Sequence, residues 1–448
     1  MARLSRGQRV GYAVGSFGTG GFGTVPGLLL LFYLTDTLGV AAAVAGVIVF
    51  IPKLWDVVID PVLGGLSDRT MLRRGSRRPW LLAGGALLPV AFVLTFAAPG
   101  ALAGGSAAIW VGVFFVASVT AFSMFQVSYL AMPAEITDDY TERIDVMAWR
   151  IVFLTLAILL FGVAAPLLVD AGGGGRSGYL VMGLVVGVLL GVSLVGAWVG
   201  TRSTRGYGVP QVGATLSEQL RAVRQNRWFG MLLGAFVLQA LATGTMLAAA
   251  VYVAEYVLGD AALTSVLFGC LVGPALLVMP AWRTLGRRMG KQRGFLVATV
   301  LFLLGTVALT LARSYPPVAV YVVVGVVGVA YAGMQMFPLS MLPDTLAADA
   351  ASSGQQRAGM FTGLWTAGET TGFALGPAIV ALVLAATGFL STTEAETAVQ
   401  PDSAVTGIVL AFSLLPAVLA ALSVPLVLRY DLTQERLQTL TTPEVVNS

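Results

Sequence analysis

A chain of 448 residues that is 57% hydrophobic and 11% charged, with a mean hydropathy of +0.86, is too apolar for a water-soluble domain, and its 54 glycines suit closely packed membrane helices. No histidine and a lone cysteine exclude imidazole chemistry, disulfides and thiolate clusters, and without a GxxxxGK[ST] stretch ATP-driven pumping by this chain alone is not expected. The net charge of +4 is a topology signal and implies no nucleic-acid partner.

In chain order, twelve apolar runs reach spanning length: roughly 11–35, 40–66, 80–99, 107–133, 147–169, 177–199, 228–257, 261–281, 295–313, 316–342, 358–389 and 404–428. The opening MARLSRGQRVGYAVGSFGTGGFG has a basic head and a glycine-broken apolar region without a convincing cleavage site, so it reads as a retained first span. Lysines and arginines fall on the termini and the even-numbered loops. Only Arg176 and Arg313 lie on the opposite side, and Lys53 lies within the second span. The positive-inside rule therefore places both termini in the cytoplasm of a multi-pass plasma-membrane protein.

The second span, continued into KLWDVVIDPVLGGLSDRTMLRRGSRRPW, breaks the apolar pattern. At about 100° per residue, Lys53, Asp56 and Asp60 fall within about 60° of one another on one helix face. Each uncompensated charge at that depth costs about 2.5–3.5 kcal/mol, so the stripe faces a partner helix or a wet cavity. A Lys53–Asp ion pair that fixes helix register would absorb one carboxylate and leave the other. The remaining acid is what a Na⁺ or proton site needs: hard oxygen ligands, or a carboxyl poised to titrate. The knot that follows contains Asp68, Arg69, Arg73, Arg77 and Arg78. It reads as a positive-inside loop touching lipid headgroups and as a cytoplasmic gate held by ion pairs, with Glu142 and Arg143 of TDDYTER assigned to the same gate.

Other polar groups at membrane depth are few. Gln126 and Tyr129 sit in the fourth span, Arg150 opens the fifth, Gln335 lies in the tenth, and Trp365 and Glu369 lie in the eleventh. Lys53, Gln126, Tyr129, Arg150, Trp365 and Glu369 are the candidate substrate contacts; Asp56, Asp60 and Glu369 are the candidate coupling carboxylates. Residues 201–227 form the longest hydrophilic stretch, with SEQLRAVRQ predicting a short amphipathic helix on the membrane surface. It separates a six-span bundle over 1–200 from a second six-span bundle with a tail over 228–448. The halves rhyme: RTMLRRGSRRPWL with RTLGRRMGKQRGFL, and LAMPAEI with SMLPDTL. Parallel six-helix repeats predict a rocker-type carrier, all-α, with its site near the midplane.

These stretches together resemble a known family. KLWDVVIDPVLGGLSDRT…GSRRPW, VSYLAMPAEITDDYTER followed by Arg150, GSFGTGGFG…FYLTDTLG, and RAGMFTGLWTAGETTGFALGP resemble the glycoside–pentoside–hexuronide:cation symporters, the melibiose-permease-like branch of the major facilitator superfamily. The resemblance implies Na⁺- or H⁺-coupled symport of a sugar, glycoside or other small organic solute by alternating access, with no cofactor beyond the coupling ion. It places the cation at Asp56 and Asp60, a basic position at Lys53, and a substrate-proximal arginine at Arg150. The family's acidic residue in the first span has no counterpart around Gly20, and Glu369 stands where a lysine is common. A proton-linked exporter or carrier of an amphipathic, drug- or lysolipid-like compound is the alternative. No nucleophile–base set or metal-ligand spacing suggests an enzyme. The expected partners are a small-molecule substrate and lipids, and the expected state is a monomer.

Overall fold

The computed structural model describes residues 4–137, 139–202, 221, 223–353, 357–393 and 399–441. Among these the fold is helical, with a single isolated bridge between Leu38 and Thr393 and no strands. The helices are α1 (Arg6–Phe32), α2 (Ala42–Arg74), α3 (Arg78–Phe96), α4 (Gly104–Ile136), α5 (Tyr140–Ala171), α6 (Gly175–Thr201) and α7 (Arg227–Tyr256). They continue as α8 (Thr264–Met289), α9 (Lys291–Ala308), α10 (Pro317–Ser353), α11 (Ala358–Ala386), α12 (Asp402–Phe412), α13 (Leu414–Leu428) and α14 (Gln434–Thr441). Among the described residues, eleven spans are long and apolar enough to cross a bilayer, with α12 and α13 forming one of them, and α8 completes twelve when its two segments, bent by 40°, count as one. Pro274 and Pro280 lie inside α8 and supply the physical cause of that bend, since each removes a helical donor. Of the predicted surface helix SEQLRAVRQ, Arg221 and residues 223–225 are described and are helical, and the other five residues lie outside the described residues.

Helix ends follow local chemistry. Ser5 caps α1 through a capping box: its hydroxyl accepts from the Gln8 amide at 3.2 Å, and Gln8 Oε1 accepts from the Ser5 amide at 2.9 Å. Apolar content sets the ends of the hydrophobic runs, but α2 continues past residue 66 to Arg74, so Asp68, Arg69 and Arg73 are helical. Arg73 and Arg74 occupy its last turn, where cations oppose the negative end of the dipole, and Gly75 closes it at φ 66°.

The chain divides into two compact units. The first comprises Met1–Gln211, Ala250–Val266 and Pro377–Gly407; the second comprises Val212–Ala249, Leu267–Gly376 and Ile408–Ser448. In the first, α1 packs on α5 and α6, and α3 packs on α4 and α6. FGTGGFG serves this packing: a Cβ on Gly20 would stand 3.0 Å from the Leu154 carbonyl, and one on Gly21 would stand 2.6 Å from the Phe161 ring. In the second unit, Gly368, Gly372 and Gly376 form a small-residue stripe on α11 that meets α7. A Cβ at Gly376 would lie 2.2 Å from the Gly244 backbone, so these two helices touch main chain to main chain.

Candidate functional site

In the first unit the charged face of α2 meets α4. Asp56 accepts from Lys53 Nζ at 3.4 Å on one carboxylate oxygen and from Ser123 Oγ at 3.3 Å on the other. Both charged side chains of that pair are about one-fifth exposed, 19% for Lys53 and 21% for Asp56, so the pair is enclosed without being sealed. Asp60, one turn further on, is exposed. Val44, Val47, Ile51, Leu54, Val58 and Val62 are exposed apolar residues of the same helix. At about 100° per residue they centre about 180° from the Lys53–Asp56–Asp60 face. Asp60 therefore opens away from the lipid-suited stripe, where an unpaired carboxylate costs about 2.5–3.5 kcal/mol.

Prolines 52 and 61 bracket this stretch inside the helix. Pro61 carries no backbone N–H and so removes one helical hydrogen bond in this turn. The Asp56 carboxylate, the Ser123 hydroxyl and, one turn on, the Asp60 carboxylate are hard oxygen donors, the kind suited to Na⁺ and equally able to take a proton. Among the described residues no group of three or more His, Cys, Asp or Glu side chains is arranged to hold a metal ion. The seam continues on either side: Trp55 Nε1 donates to Thr120 Oγ1 at 2.8 Å, and Ser67 and Ser128 hydroxyls meet at 3.0 Å.

One turn along α4 from Ser123 sits Gln126, whose buried Oε1 has no hydrogen-bond partner among the described residues. One turn further is Tyr129, fully buried and stacked on Tyr12 at 4.4 Å between ring centroids and on Phe125 at 5.0 Å. Its hydroxyl is fixed by Ser16 Oγ at 2.7 Å and by donation to the Tyr12 carbonyl at 2.7 Å. Tyr129 thus has no free polar atom and serves as a rigid platform. Above it lies Arg150 of α5, whose guanidinium carbon is 6.0 Å from the ring centroid. Arg150 Nε is buried and unpartnered among the described residues. An acceptor and a cationic donor left open near one aromatic platform suit a ligand rich in hydroxyls, because unpaired buried polar groups are costly until something pairs with them.

The second unit holds the remaining candidates. Trp365 is buried and stacked on Phe236 at 4.3 Å, with its indole N–H unpartnered among the described residues. Glu369 is half-buried one turn on and within electrostatic reach of Tyr331, whose hydroxyl accepts from Gln335 Nε2 at 2.9 Å.

The candidate gate residues separate into two groups. Arg77, nearly buried, pairs with Asp68 across the end of α2, and Arg78 Nη1 donates to the Arg202 carbonyl at 2.7 Å. Arg69 and Arg73 are exposed. Glu142 is buried at the start of α5, accepting from the Leu4 amide at 2.9 Å and the Thr137 hydroxyl at 2.8 Å, with Arg9 at 3.8 Å. The Arg143 side chain lies outside the described residues. Sequence reasoning missed Ser123, since an isolated hydroxyl in an apolar helix carries no signal until the neighbouring helix is in place.

The whole length has relatives. A family model described as MFS/sugar transport protein matches residues 11–434. The inner membrane symporter YicJ of Escherichia coli is 26% identical over 455 residues, covering 98% of this chain and 94% of its own. The isoprimeverose transporter of Lactiplantibacillus pentosus is 24% identical, covering 86% of this chain and 81% of its own. Among solved structures, a bacterial homologue of the human lysosomal transporter Spinster, inward-facing and unoccupied, matches with a TM-score of 0.63 at 17% identity, over 95% of this chain and 99% of that one. At that identity the last likeness speaks to the fold alone.

Proposed function

We propose how this chain, which belongs to the MFS/sugar transport protein family, performs its transport. It is a secondary active transporter that carries a sugar or glycoside together with a cation. The observation that carries the mechanism is the stripe along α4. Ser123 contacts Asp56, Gln126 offers an open acceptor, and Tyr129 supports Arg150. Six residues of helix separate Ser123 from Tyr129, about 9 Å of rise, so one rigid element touches both the cation carboxylate and the substrate contacts.

Coupling then has a physical basis. Lys53 already occupies one oxygen of Asp56 and acts as a tethered cation that an arriving Na⁺ or proton displaces. The arriving ion fixes Asp56 against Ser123 and thereby sets Gln126 for a sugar hydroxyl, so ion and sugar each bind better when the other is present. Such reciprocal coupling disfavours half-loaded carriers. Arg150 donates to the sugar from above Tyr129. In the second unit, Trp365 and Glu369 supply an aromatic face and an acceptor for the same class of ligand. Asp68 with Arg77, Arg78 and Glu142 brace the end of the bundle that the arginine distribution assigns to the cytoplasm.

The experiment is uptake of a panel of labelled glycosides and pentosides into vesicles with an imposed Na⁺ or pH gradient. At least one sugar is expected to accumulate only when the ion gradient points inward, and the gradient that works identifies the ion. Accumulation indifferent to both gradients, or driven only by an outward one, would remove the symport mechanism.

A further inference from the structure

We infer that Asp36 and Tyr256, with Thr35 and Tyr252, form a latch that closes the end of the first unit away from the start of α1 and must open in every transport cycle. The observations lie outside the cation and sugar contacts above. After α1 the chain forms a π-helical turn, Tyr33–Thr37. Such turns insert a residue into the helical register, and they concentrate at functional positions where a helix re-aims its side chains. This one aims Thr35 and Asp36 at the last turns of α7. Tyr256 O–H donates to Asp36 Oδ1, and the Tyr252 and Thr35 hydroxyls meet at 2.7 Å.

The segment after α11 adds a strap over the same turn. The Thr392 amide donates to the Thr35 carbonyl at 2.9 Å, the Thr392 hydroxyl to the Asp36 carbonyl at 3.4 Å, and Thr393 bridges Leu38. Next to the latch lies a cavity of about 550 Å³ whose lining includes Asp36, Asp170, Glu255, Asp260 and Tyr256. No lysine or arginine is among the described residues that line it. Four carboxylates around one space repel one another, and this opposes closure. The Tyr256 donor, the two hydroxyl contacts and the strap oppose that repulsion. A closure held by a few hydrogen bonds against like charge is poised to open, which a permanent staple would not be. Asp36 belongs to FYLTDTLG, a stretch the cation and sugar contacts leave without a role.

The inference rests on the transporter reading only in that a carrier must open this end, and its test reads the latch without any substrate. Cys270 is the only native cysteine, so its replacement by serine gives a clean background. In that background a Leu38→Cys/Thr393→Cys pair occupies the bridge, where Cα separations of about 4.5–5.5 Å suit a disulfide. Oxidation is expected to abolish uptake and reduction to restore it; an oxidised pair that transports as well as the reduced one overturns the latch. A second variant covers poor insertion of that pair. Thr37→Cys lines the cavity, and adding Tyr256→Phe is expected to raise its labelling by a membrane-impermeant maleimide about tenfold, the population change that follows loss of a hydrogen bond to a charged group. Labelling unchanged by Tyr256→Phe overturns the proposal. Should no sugar be transported while the labelling still rises, the latch stands and the symport mechanism falls.

Discussion

Asp56→Asn will collapse sugar accumulation to equilibration while leaving the protein folded in the membrane. With about 100 mV and a tenfold ion gradient, one co-transported cation supplies about 3.7 kcal/mol, enough for about 500-fold accumulation. The asparagine keeps the size of the side chain and its acceptance from Ser123 but removes the charge that pairs with Lys53 and that, on the proposed mechanism, holds the arriving cation. Vesicles carrying the variant should therefore still pass sugar down its gradient, with an inside-to-outside ratio of about 1 at every imposed ion gradient. Full accumulation by the variant would reassign coupling to Asp60 or Glu369. Loss of downhill exchange as well, in protein of parental thermal stability, would make Asp56 a sugar contact.

The second large effect is expected at Arg150. Its Nε is buried and unpartnered among the described residues, and its guanidinium is held over a ring that Ser16 and Tyr12 lock in place. On the proposed mechanism Arg150→Ala removes a charged donor to sugar hydroxyls, worth about 1.5–3 kcal/mol, or about 10–150-fold in affinity. The apparent KM for sugar should rise by that factor with the cation dependence retained, because Asp56 and Ser123 are untouched. Arg150→Lys should recover only part of it, since an ammonium offers one point of donation where the planar fork offers several. An unchanged KM in both variants would show that Arg150 faces no ligand.

How far these residues were visible in the sequence depended on whether their signal was local. The twelve spans were legible because bilayer thickness imposes a minimum apolar length, and each expected span has its helix. Lys53, Asp56 and Asp60 announced themselves by cost, three ionisable groups on one stripe of an otherwise apolar helix. The ends of α2 and α10 were not legible, because helices continue through polar residues when caps such as Gly75 come later than the apolar run. Ser123 was invisible because its meaning comes from a carboxylate on another helix, 67 residues away in sequence. Tyr129 was legible as important, but its confinement between Tyr12, Ser16 and Phe125 shows that a polar aromatic at membrane depth can be a support for its neighbour. The glycines of FGTGGFG and AGETTGFALGP look alike in composition, and only packing reveals that the first admits side chains of α5 while the second brings α11 to the backbone of α7.

The claim on which the account turns is that the Asp56–Asp60 face of α2 binds the coupling ion beside Lys53. Cation binding by the purified protein, measured calorimetrically for Na⁺ and as proton uptake for H⁺, tests it without a sugar. The parent is expected to bind one cation per chain, Asp56→Asn none, and Lys53→Gln one cation more tightly. A single cation bound equally well by the parent and Asp56→Asn would contradict the account.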